Sequence, residues 1–261
     1  MQRRNFMKAA GVLATAPAFA ATSKYSSVTE PFSQGKEIYE WRIYTLTGDG
    51  SALDAFFTKT LIPAYNRKKV TVGAFKLFKK EEGAKELRHL LLIYPDIDTY
   101  YKVKKEIWKD EVFKKAAQAF YDETASNPVY TNFETHLSEA FDKIPVHKTP
   151  DKSRTLLELR IYHSPNEEAN QRKVRMFNVD EIEIFNQTGI NSVLYGEILA
   201  GPRNPALMYL TWYKDEDTRN EAWKKFGAHP DWIRIRALPE YAHTATNNQS
   251  IYLSPLPYSQ L

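Results

Sequence analysis

The 261-residue chain contains no cysteine. This absence excludes disulfide bonds, thiolate zinc sites, iron–sulfur clusters, thiol nucleophiles and a lipid-modified N-terminal cysteine. Glycine and proline are also few, with 10 and 14 residues, and 43% of the chain is apolar, which excludes low-complexity and collagen-like proteins. The length and composition predict a globular protein with one large unit or two units of about 100 to 150 residues.

Recognised catalytic and nucleotide-binding signatures are missing as well. The chain has no G-x-G-x-x-G, no Walker loop, no G-x-S-x-G elbow and no H-E-x-x-H. Its six histidines do not have the spacing of metal ligands, since they stand at positions 89, 136, 147, 163, 229 and 243. We therefore predict no dedicated metal site and no bound cofactor.

The chain also has no large excess of positive or negative charge, since it contains 36 Lys and Arg and 32 Asp and Glu. The strand-like segments also carry no RNP-like aromatic pattern, so we do not expect nucleic acid as a partner. No stretch reaches the roughly 18 uninterrupted apolar residues that a membrane-spanning helix needs. We expect the mature chain to have no stable membrane anchor.

The N-terminus has the order of an export signal. Residues 2–8 read Gln-Arg-Arg-Asn-Phe-Met-Lys, a twin-arginine pattern, and a short apolar stretch follows at residues 9–16. Residues 18–20, Ala-Phe-Ala, are typical of a signal peptidase site. We predict a twin-arginine signal peptide at residues 1–20, cleavage after Ala20 and a periplasmic or otherwise exported protein. The alternative is a disordered N-terminus with a chance arginine pair.

Two patterns recur at almost the same distance along the chain. Ile-Tyr-Glu-Trp-Arg-Ile-Tyr at residues 38–44 resembles Leu-Leu-Glu-Leu-Arg-Ile-Tyr at 156–162, and Tyr-x-Asp-x-Asp-Thr at 94–99 recurs at 213–218. Two matches at one spacing indicate a tandem duplication. We predict a leader at 21–36, a first unit at 37–141, a proline-containing linker at 142–154 and a second unit at 155–258.

Each unit has the same predicted order of strand, helix, strand, strand, helix and strand. This order is typical of the ferredoxin-like βαββαβ unit and predicts an α+β fold. Such a sheet has helices on one face only, and its other face must be covered. We expect the two sheets to pack face to face within the chain and to enclose a barrel.

Side chains alternate along the first strand of each unit, so that an apolar row and a polar row lie on opposite faces. The polar row has the order Glu, Arg, Tyr in both units: Glu40, Arg42, Tyr44, Glu158, Arg160 and Tyr162. We expect the apolar row beneath the helices and the polar row, with Tyr209, in a ligand pocket between the sheets. Two arginines there would suit a carboxylate or another anion. The alternative is that the glutamates and arginines form structural ion pairs; the spacing does not choose between the two.

A second candidate lies on the last strand of the first unit. Glu134 and His136 share a face of this strand, and a glutamate beside a histidine could position a general base. We therefore consider both as candidate catalytic residues. The alternative is that His136 is a solvated edge residue. The second unit has Ser250 and Tyr252 near the matching place, so chemistry here would be confined to one unit.

The two E-x-R strands, the Trp212-Tyr213 strand end and the turn His229-Pro230-Asp231-Trp232 resemble the NIPSNAP family. The resemblance extends over both units and implies the dimeric α/β-barrel superfamily. The first unit departs from it, with Ile107-Trp108-Lys109-Asp110 at the place of the His-Pro-Asp-Trp turn. The superfamily includes haem-binding and haem-degrading enzymes, cofactor-free oxygenases, isomerases and ligand binders.

These observations lead to three functional hypotheses. The first is an exported barrel protein that binds a small organic, anionic ligand. In an extended form of this hypothesis, the protein is also an enzyme of the lyase, isomerase or oxygenase type. The second is a non-catalytic assembly or partner-binding protein, a homo-oligomer whose barrel is filled by side chains. The third is haem binding or degradation, which the resemblance implies, with His136 as the candidate axial ligand.

Overall fold

The computed structural model describes residues 35–261. The predicted signal peptide and nearly all of the predicted leader lie outside these residues, and export stays a prediction. Within residues 35–261, the helices are all too short or too polar to cross a membrane.

The described chain contains eight strands and eight α-helices. The first half contains β1 (Ile38–Leu46), α1 (Ser51–Phe56), α2 (Ile62–Asn66), β2 (Thr71–Leu77), β3 (Leu87–Tyr94), α3 (Ile97–Glu106), α4 (Glu111–Ser126) and β4 (Tyr130–Ala140). The second half contains β5 (Leu156–His163), α5 (Glu167–Met176), α6 (Ile182–Thr188), β6 (Asn191–Ala200), β7 (Ala206–Tyr213), α7 (Glu216–Ala228), α8 (Pro230–Ile235) and β8 (Asn247–Pro255). One π-helical turn joins α1 to α2 (Phe57–Leu61) and another joins α5 to α6 (Phe177–Glu181).

All eight strands form one closed antiparallel barrel in the order β1-β3-β2-β8-β5-β7-β6-β4. Each half contributes four neighbouring strands in the order expected for a ferredoxin-like sheet: β4-β1-β3-β2 and β8-β5-β7-β6. Two seams close the barrel, because β2 pairs with β8 and β4 pairs with β6. The predicted α+β fold, with two ferredoxin-like units packed sheet to sheet in one chain, is confirmed.

The repeated Tyr-x-Asp-x-Asp-Thr pattern has a local structural cause. Asp96 caps α3 by accepting a hydrogen bond from the Thr99 amide at 2.6 Å, and Asp215 caps α7 by accepting one from the Thr218 amide at 2.8 Å. An aspartate at this position satisfies an amide that has no partner within the helix. The same strand-to-helix turn is therefore built twice from the same residues.

The predicted orientation of the two rows on β1 and β5 is wrong. The apolar row, which includes Trp41 and Leu159, lies inside the barrel, where side chains from both halves form one core. The polar row faces the helices: Glu40 contacts Lys104 on α3, and Glu158 contacts Arg219 on α7. Inside the barrel the apolar row packs against apolar side chains of both halves. On the helix side, Lys104 and Arg219 supply the cations that a buried carboxylate needs as partners.

Candidate functional site

Glu40 is the centre of a polar group between the first sheet and its helices. Its side chain is only 2% exposed. Arg42 donates to Glu40 Oε1 from Nε at 2.8 Å and from Nη2 at 2.7 Å, and the Tyr94 hydroxyl donates to Oε2 at 2.7 Å. Lys104 reaches Oε1 from α3 at 3.2 Å. The carboxylate therefore has two cationic partners and one hydroxyl partner.

The charges of this group determine the ionisation of Glu40. Burial pushes the pKa of Glu40 upward, but the positive charges of Arg42 and Lys104 outweigh it, and the net effect is a lowered pKa. Glu40 is therefore a carboxylate at neutral pH. Because two cations face one anion, the group keeps one excess positive charge.

A cleft of about 150 Å³ lies against this group, which we call the Arg42 cleft. It lies between β1, β4 and the helices of the first half. Its lining is mostly aromatic and aliphatic, with two cations: Arg42, Leu61, Tyr65, Lys104, Ile107, Trp108, Phe113, Tyr121 and Phe133. Trp108 and Phe133 are 58% and 42% exposed and form its accessible rim. The Arg42 guanidinium lies 5.4 Å from the centre of the Phe133 ring.

Tyr44, the third member of the predicted row, lies beside the cleft. Its hydroxyl accepts a 3.4 Å hydrogen bond from Arg42 Nη1, and its ring packs against Phe57 and Phe133. Phe57 begins the π-helical turn whose last residue, Leu61, lines the cleft. π-helical turns are rare in proteins, and those that occur are frequently found at functional sites. Tyr44 thus supports the wall of the cleft and orients its arginine.

The equivalent group in the second half is arranged differently. Glu158 is fully buried and receives two hydrogen bonds from Arg219, at 3.0 and 2.8 Å, and one from Arg160 at 2.9 Å. The Trp223 indole donates a fourth at 2.9 Å. The Trp223 ring also lies 4.4 Å from the Arg160 guanidinium, while Tyr162 lies 5.3 Å away on the same arginine. Two aromatic rings of the chain itself thus contact Arg160.

The predicted ligand-binding tyrosines of the second half are part of its core. Tyr162 and Tyr209 share a hydrogen bond of 2.8 Å between their hydroxyls. Burial raises the pKa of Tyr162 to about 12 and that of Tyr209 well above its usual range, so both phenols are neutral. Next to them lies a buried ion pair that the sequence analysis missed, Lys173 with Glu181 at 2.9 Å.

Glu134 and His136 lie on the opposite face of β4 from the Arg42 cleft. They pair across the sheet with Ile43 and Trp41, both on the barrel side of β1. His136 is buried and Glu134 is exposed. Burial lowers the pKa of His136, Glu134 partly offsets this, and His163 lowers it further. The pair is thus separated by the sheet from Arg42, and the two predicted sites do not combine into one.

His136 belongs to a small group of barrel histidines. His89 accepts a hydrogen bond from the Trp41 indole at 3.1 Å, and burial together with nearby His136 lowers its pKa to about 3. Within residues 35–261, His89 Nε2, His136 Nδ1 and His163 Nε2 are buried without a hydrogen-bond partner. No set of three or more His, Asp or Glu in this part of the chain could hold a metal ion.

Haem does not fit the observed arrangement. The lining of the Arg42 cleft includes no histidine that could serve as an axial ligand. His136 lies instead on the barrel side, where Gly201 packs so closely that a methyl group added to it would lie 3.0 Å from His136 Nδ1.

The residues that sequence reasoning missed come mainly from the helices. Lys104 lies on α3, Trp108 on the 3-10 turn between α3 and α4, and Tyr121 on α4. The alternation of side chains along a strand gives no information about these helical positions. The sequence does contain one indication that Lys104 belongs to the site. The 119-residue spacing of the Asp-capped turns places Lys104 at the position of Trp223, and both contact the buried glutamate of their own half.

Comparisons with known proteins agree with this architecture. Residues 157–260 match the sequence model of the NIPSNAP family. A search among curated proteins gives no match. A NIPSNAP-like domain protein of Burkholderia xenovorans is 20% identical, covers 41% of this chain and 90% of its own, and has a TM-score of 0.38.

Two solved structures share the fold over most of both chains. Each is named a putative monooxygenase. The protein from Fusobacterium nucleatum is 14% identical, covers 84% of this chain and 92% of its own, and has a TM-score of 0.54. The protein from Lactobacillus acidophilus is 8% identical, covers 84% and 94%, and has a TM-score of 0.52. At these identities the similarity shows the fold alone. The chain is thus a dimeric-type α/β barrel contained in one polypeptide, and its second half carries a match to the NIPSNAP domain.

Proposed function

We propose that this protein binds a small aromatic or otherwise planar organic anion in the Arg42 cleft, and that it does so after export through the signal at residues 1–20. The observation that carries this proposal is the composition of the cleft. Arg42 and Lys104 lie at its polar end, and aromatic rings form most of its remaining wall. Few polar groups in a largely apolar concavity are typical of small-molecule sites.

The charge distribution favours an anion over a neutral ligand or a cation. Glu40 balances only one of the two cations, and it lies 2% exposed behind them. A ligand carboxylate could replace the weak 3.4 Å contact from Arg42 to Tyr44 and approach Lys104, whose side chain is 41% exposed. Charge-assisted hydrogen bonds of this kind are stronger than neutral ones.

The size of the cleft limits the ligand. Its volume of about 150 Å³ is below the range of roughly 300 to 1,000 Å³ that is typical of sites for drug-sized molecules. The buried part of the ligand is therefore small, such as a single ring with one acidic substituent. Trp108 and Phe133 at the rim would stack on this ring.

The ionisation of Glu40 favours binding over proton abstraction. A general base works best when its pKa is near the operating pH. The pKa of Glu40 is lowered, and its carboxylate already accepts hydrogen bonds from Arg42, Tyr94 and Lys104. We therefore assign Glu40 the role of holding the cations in place. Lyase or isomerase chemistry in the cleft would need a different base. Glu134 and His136 cannot supply it, because they lie on the other face of the sheet.

Isothermal titration of the purified protein with benzoate and with benzamide tests the proposal. The two probes have nearly the same shape and differ in charge. We expect benzoate to bind, benzamide to bind at least about tenfold more weakly, and Lys104→Gln to remove most of this difference. Lys105→Gln, an exposed neighbour outside the cleft, should leave it unchanged. Equal binding of both probes, or no binding of benzoate, would overturn the proposal.

A second candidate is a non-catalytic assembly protein, and the filled barrel favours it. The space between the two sheets is occupied by the side chains of both halves, which is the arrangement that the assembly hypothesis predicts. Sedimentation velocity of residues 21–261 separates the candidates. A stable oligomer that does not bind benzoate supports assembly, whereas a benzoate-binding monomer contradicts it.

A further inference from the structure

A second cleft, separate from the Arg42 cleft, lies where the turn between α2 and β2 faces α3. We call it the basic cleft. Its volume is about 360 Å³, and its lining contains four cations and one acid: Arg67, Lys68, Lys69, Thr99, Lys102, Val103 and Glu106. None of these residues lines the Arg42 cleft.

The cations of the basic cleft are poorly neutralised. Arg67 pairs with Asp110 at 3.0 Å, and Lys68 lies 4.0 Å from Glu106. No carboxylate in residues 35–261 lies within ion-pair distance of Lys69 or Lys102, and both lysines are exposed. The cleft thus has a net positive charge, and two of its cations are available to a ligand.

Lys69 has a backbone conformation that favours glycine. Its φ of 62° is in the left-handed region, where an L-residue with a side chain is strained. The equivalent turn after α6 uses Gly189 with φ 85°. The two turns close in the same way, since Val70 donates to the Tyr65 carbonyl at 3.1 Å and Ile190 donates to the equivalent carbonyl of Phe185 at 3.1 Å. The turn itself does not need a lysine, and strain of this kind occurs often at functional sites.

The second half shows that the fold does not require the basic cleft. At the equivalent turn and helix face, each charged residue of the basic cleft is replaced by an uncharged residue or by one of opposite charge. The equivalent residues are Gln187, Thr188, Gly189, Thr218, Glu221 and Lys225. Arg67 and the two following lysines correspond to the neutral residues 187–189. Lys102 corresponds to Glu221, which reverses the charge. The concentration of cations is therefore specific to the first half.

We propose that the basic cleft binds a phosphate group carried by a small molecule or by a lipid headgroup. A phosphate dianion offers the compact double charge that two unpaired lysines and a neighbouring arginine can neutralise, whereas a single carboxylate would leave the site positive. The Thr99 side chain in the lining adds a hydroxyl donor. This site is independent of the one proposed around Arg42.

Three probes separate the sources of the phosphate: inorganic phosphate, pyrophosphate, and vesicles of phosphatidylcholine with and without phosphatidic acid. Titration calorimetry measures the first two, and vesicle co-sedimentation measures the third. Binding of the soluble anions without the vesicles identifies a small-molecule site, and binding of phosphatidic acid vesicles identifies a headgroup site. The absence of binding to all three probes would overturn the proposal.

Matched variants separate a built site from bulk charge. Lys69→Gly relieves the backbone strain and keeps the turn, and Lys102→Glu introduces the residue that the second half has at this position. Lys105→Glu makes the same charge change on the same helix outside the cleft. We expect the first two each to raise the dissociation constant by about tenfold and Lys105→Glu to leave it nearly unchanged. An equal loss in Lys102→Glu and Lys105→Glu would overturn the proposal.

Discussion

Lys104 and Trp223 occupy equivalent positions on α3 and α7, and each donates to the buried glutamate of its own half. Lys104 Nζ lies 3.2 Å from Glu40, and Trp223 Nε1 lies 2.9 Å from Glu158. Trp223 also covers Arg160 at 4.4 Å, whereas the arginine beside Lys104 lines an open cleft. One helix position thus distinguishes a closed polar group from an accessible one.

Trp108 should report on ligand binding to the Arg42 cleft. It is the exposed tryptophan of the rim, and it packs against Phe113 and Tyr121. We expect benzoate to change the intrinsic fluorescence of the protein, and Trp108→Phe to lose most of this change while it keeps the affinity. Trp108→Ala should weaken binding severalfold, because a stacking surface worth about 1 kcal/mol is lost. A full fluorescence response in Trp108→Phe would place the ligand elsewhere.

Removal of one partner of the ion pair between Glu40 and Arg42 should lower the stability of the protein more than replacement of both partners. Arg42→Met leaves a buried carboxylate without its main partner, and we expect a loss of about 3 kcal/mol in the free energy of unfolding by urea. The double variant Glu40→Gln/Arg42→Met should be more stable than Arg42→Met alone. Lys114→Met, which breaks the exposed pair with Glu111, should change stability by less than about 1 kcal/mol. A double variant that is less stable than Arg42→Met alone would contradict the buried pairing.

His89 should make the stability of the barrel depend on pH. Its pKa in the folded protein is lowered to about 3, below the value of about 6.5 in an unfolded chain. The unfolded state therefore binds the proton first, and stability is lost as the pH falls from about 6.5 toward 3, by up to about 1.4 kcal/mol per pH unit. Urea unfolding at several pH values should show a shallower slope in His89→Gln. His243→Asn, at an exposed position, should keep the parent slope.

The seam between β4 and β6 should tolerate no added side chain at Gly196. A methyl group there would lie 2.7 Å from Ser138 Oγ and 3.2 Å from the Glu139 carbonyl oxygen. We expect Gly196→Ala to lower the free energy of unfolding by about 1 to 3 kcal/mol, since the barrel interior cannot easily expand. Gly48→Ala, which has no neighbouring atom within 4 Å, is the control and should have little effect. An unchanged melting temperature in Gly196→Ala would show that the seam is looser than described.

Local patterns in the sequence predicted the architecture well. The repeated strand openers and the Asp-capped turns are set by residues adjacent in the chain, and they fall on β1, β5 and the starts of α3 and α7. The pairing of Glu40 with Arg42 and of Glu158 with Arg160, which we considered as the alternative to ligand binding, is present.

The orientation of the polar row could not be predicted from the same patterns. Strand alternation separates two faces, but it does not say which face the helices cover. That choice depends on side chains from distant elements: Lys104 and Arg219 pair with the two glutamates from the helix side, whereas the apolar row joins the core inside the barrel. For the same reason Glu134 and His136, which share a strand with Phe133, lie on the other side of the sheet from the Arg42 cleft.

The affinity of Lys104→Trp for benzoate tests the central claim most directly. This substitution gives the first half the residue that covers the arginine in the second half. If the Arg42 cleft is the binding site, the variant should fold with the parent melting temperature to within a few degrees and lose at least about tenfold in affinity. A folded Lys104→Trp protein that binds benzoate as tightly as the parent would contradict the account.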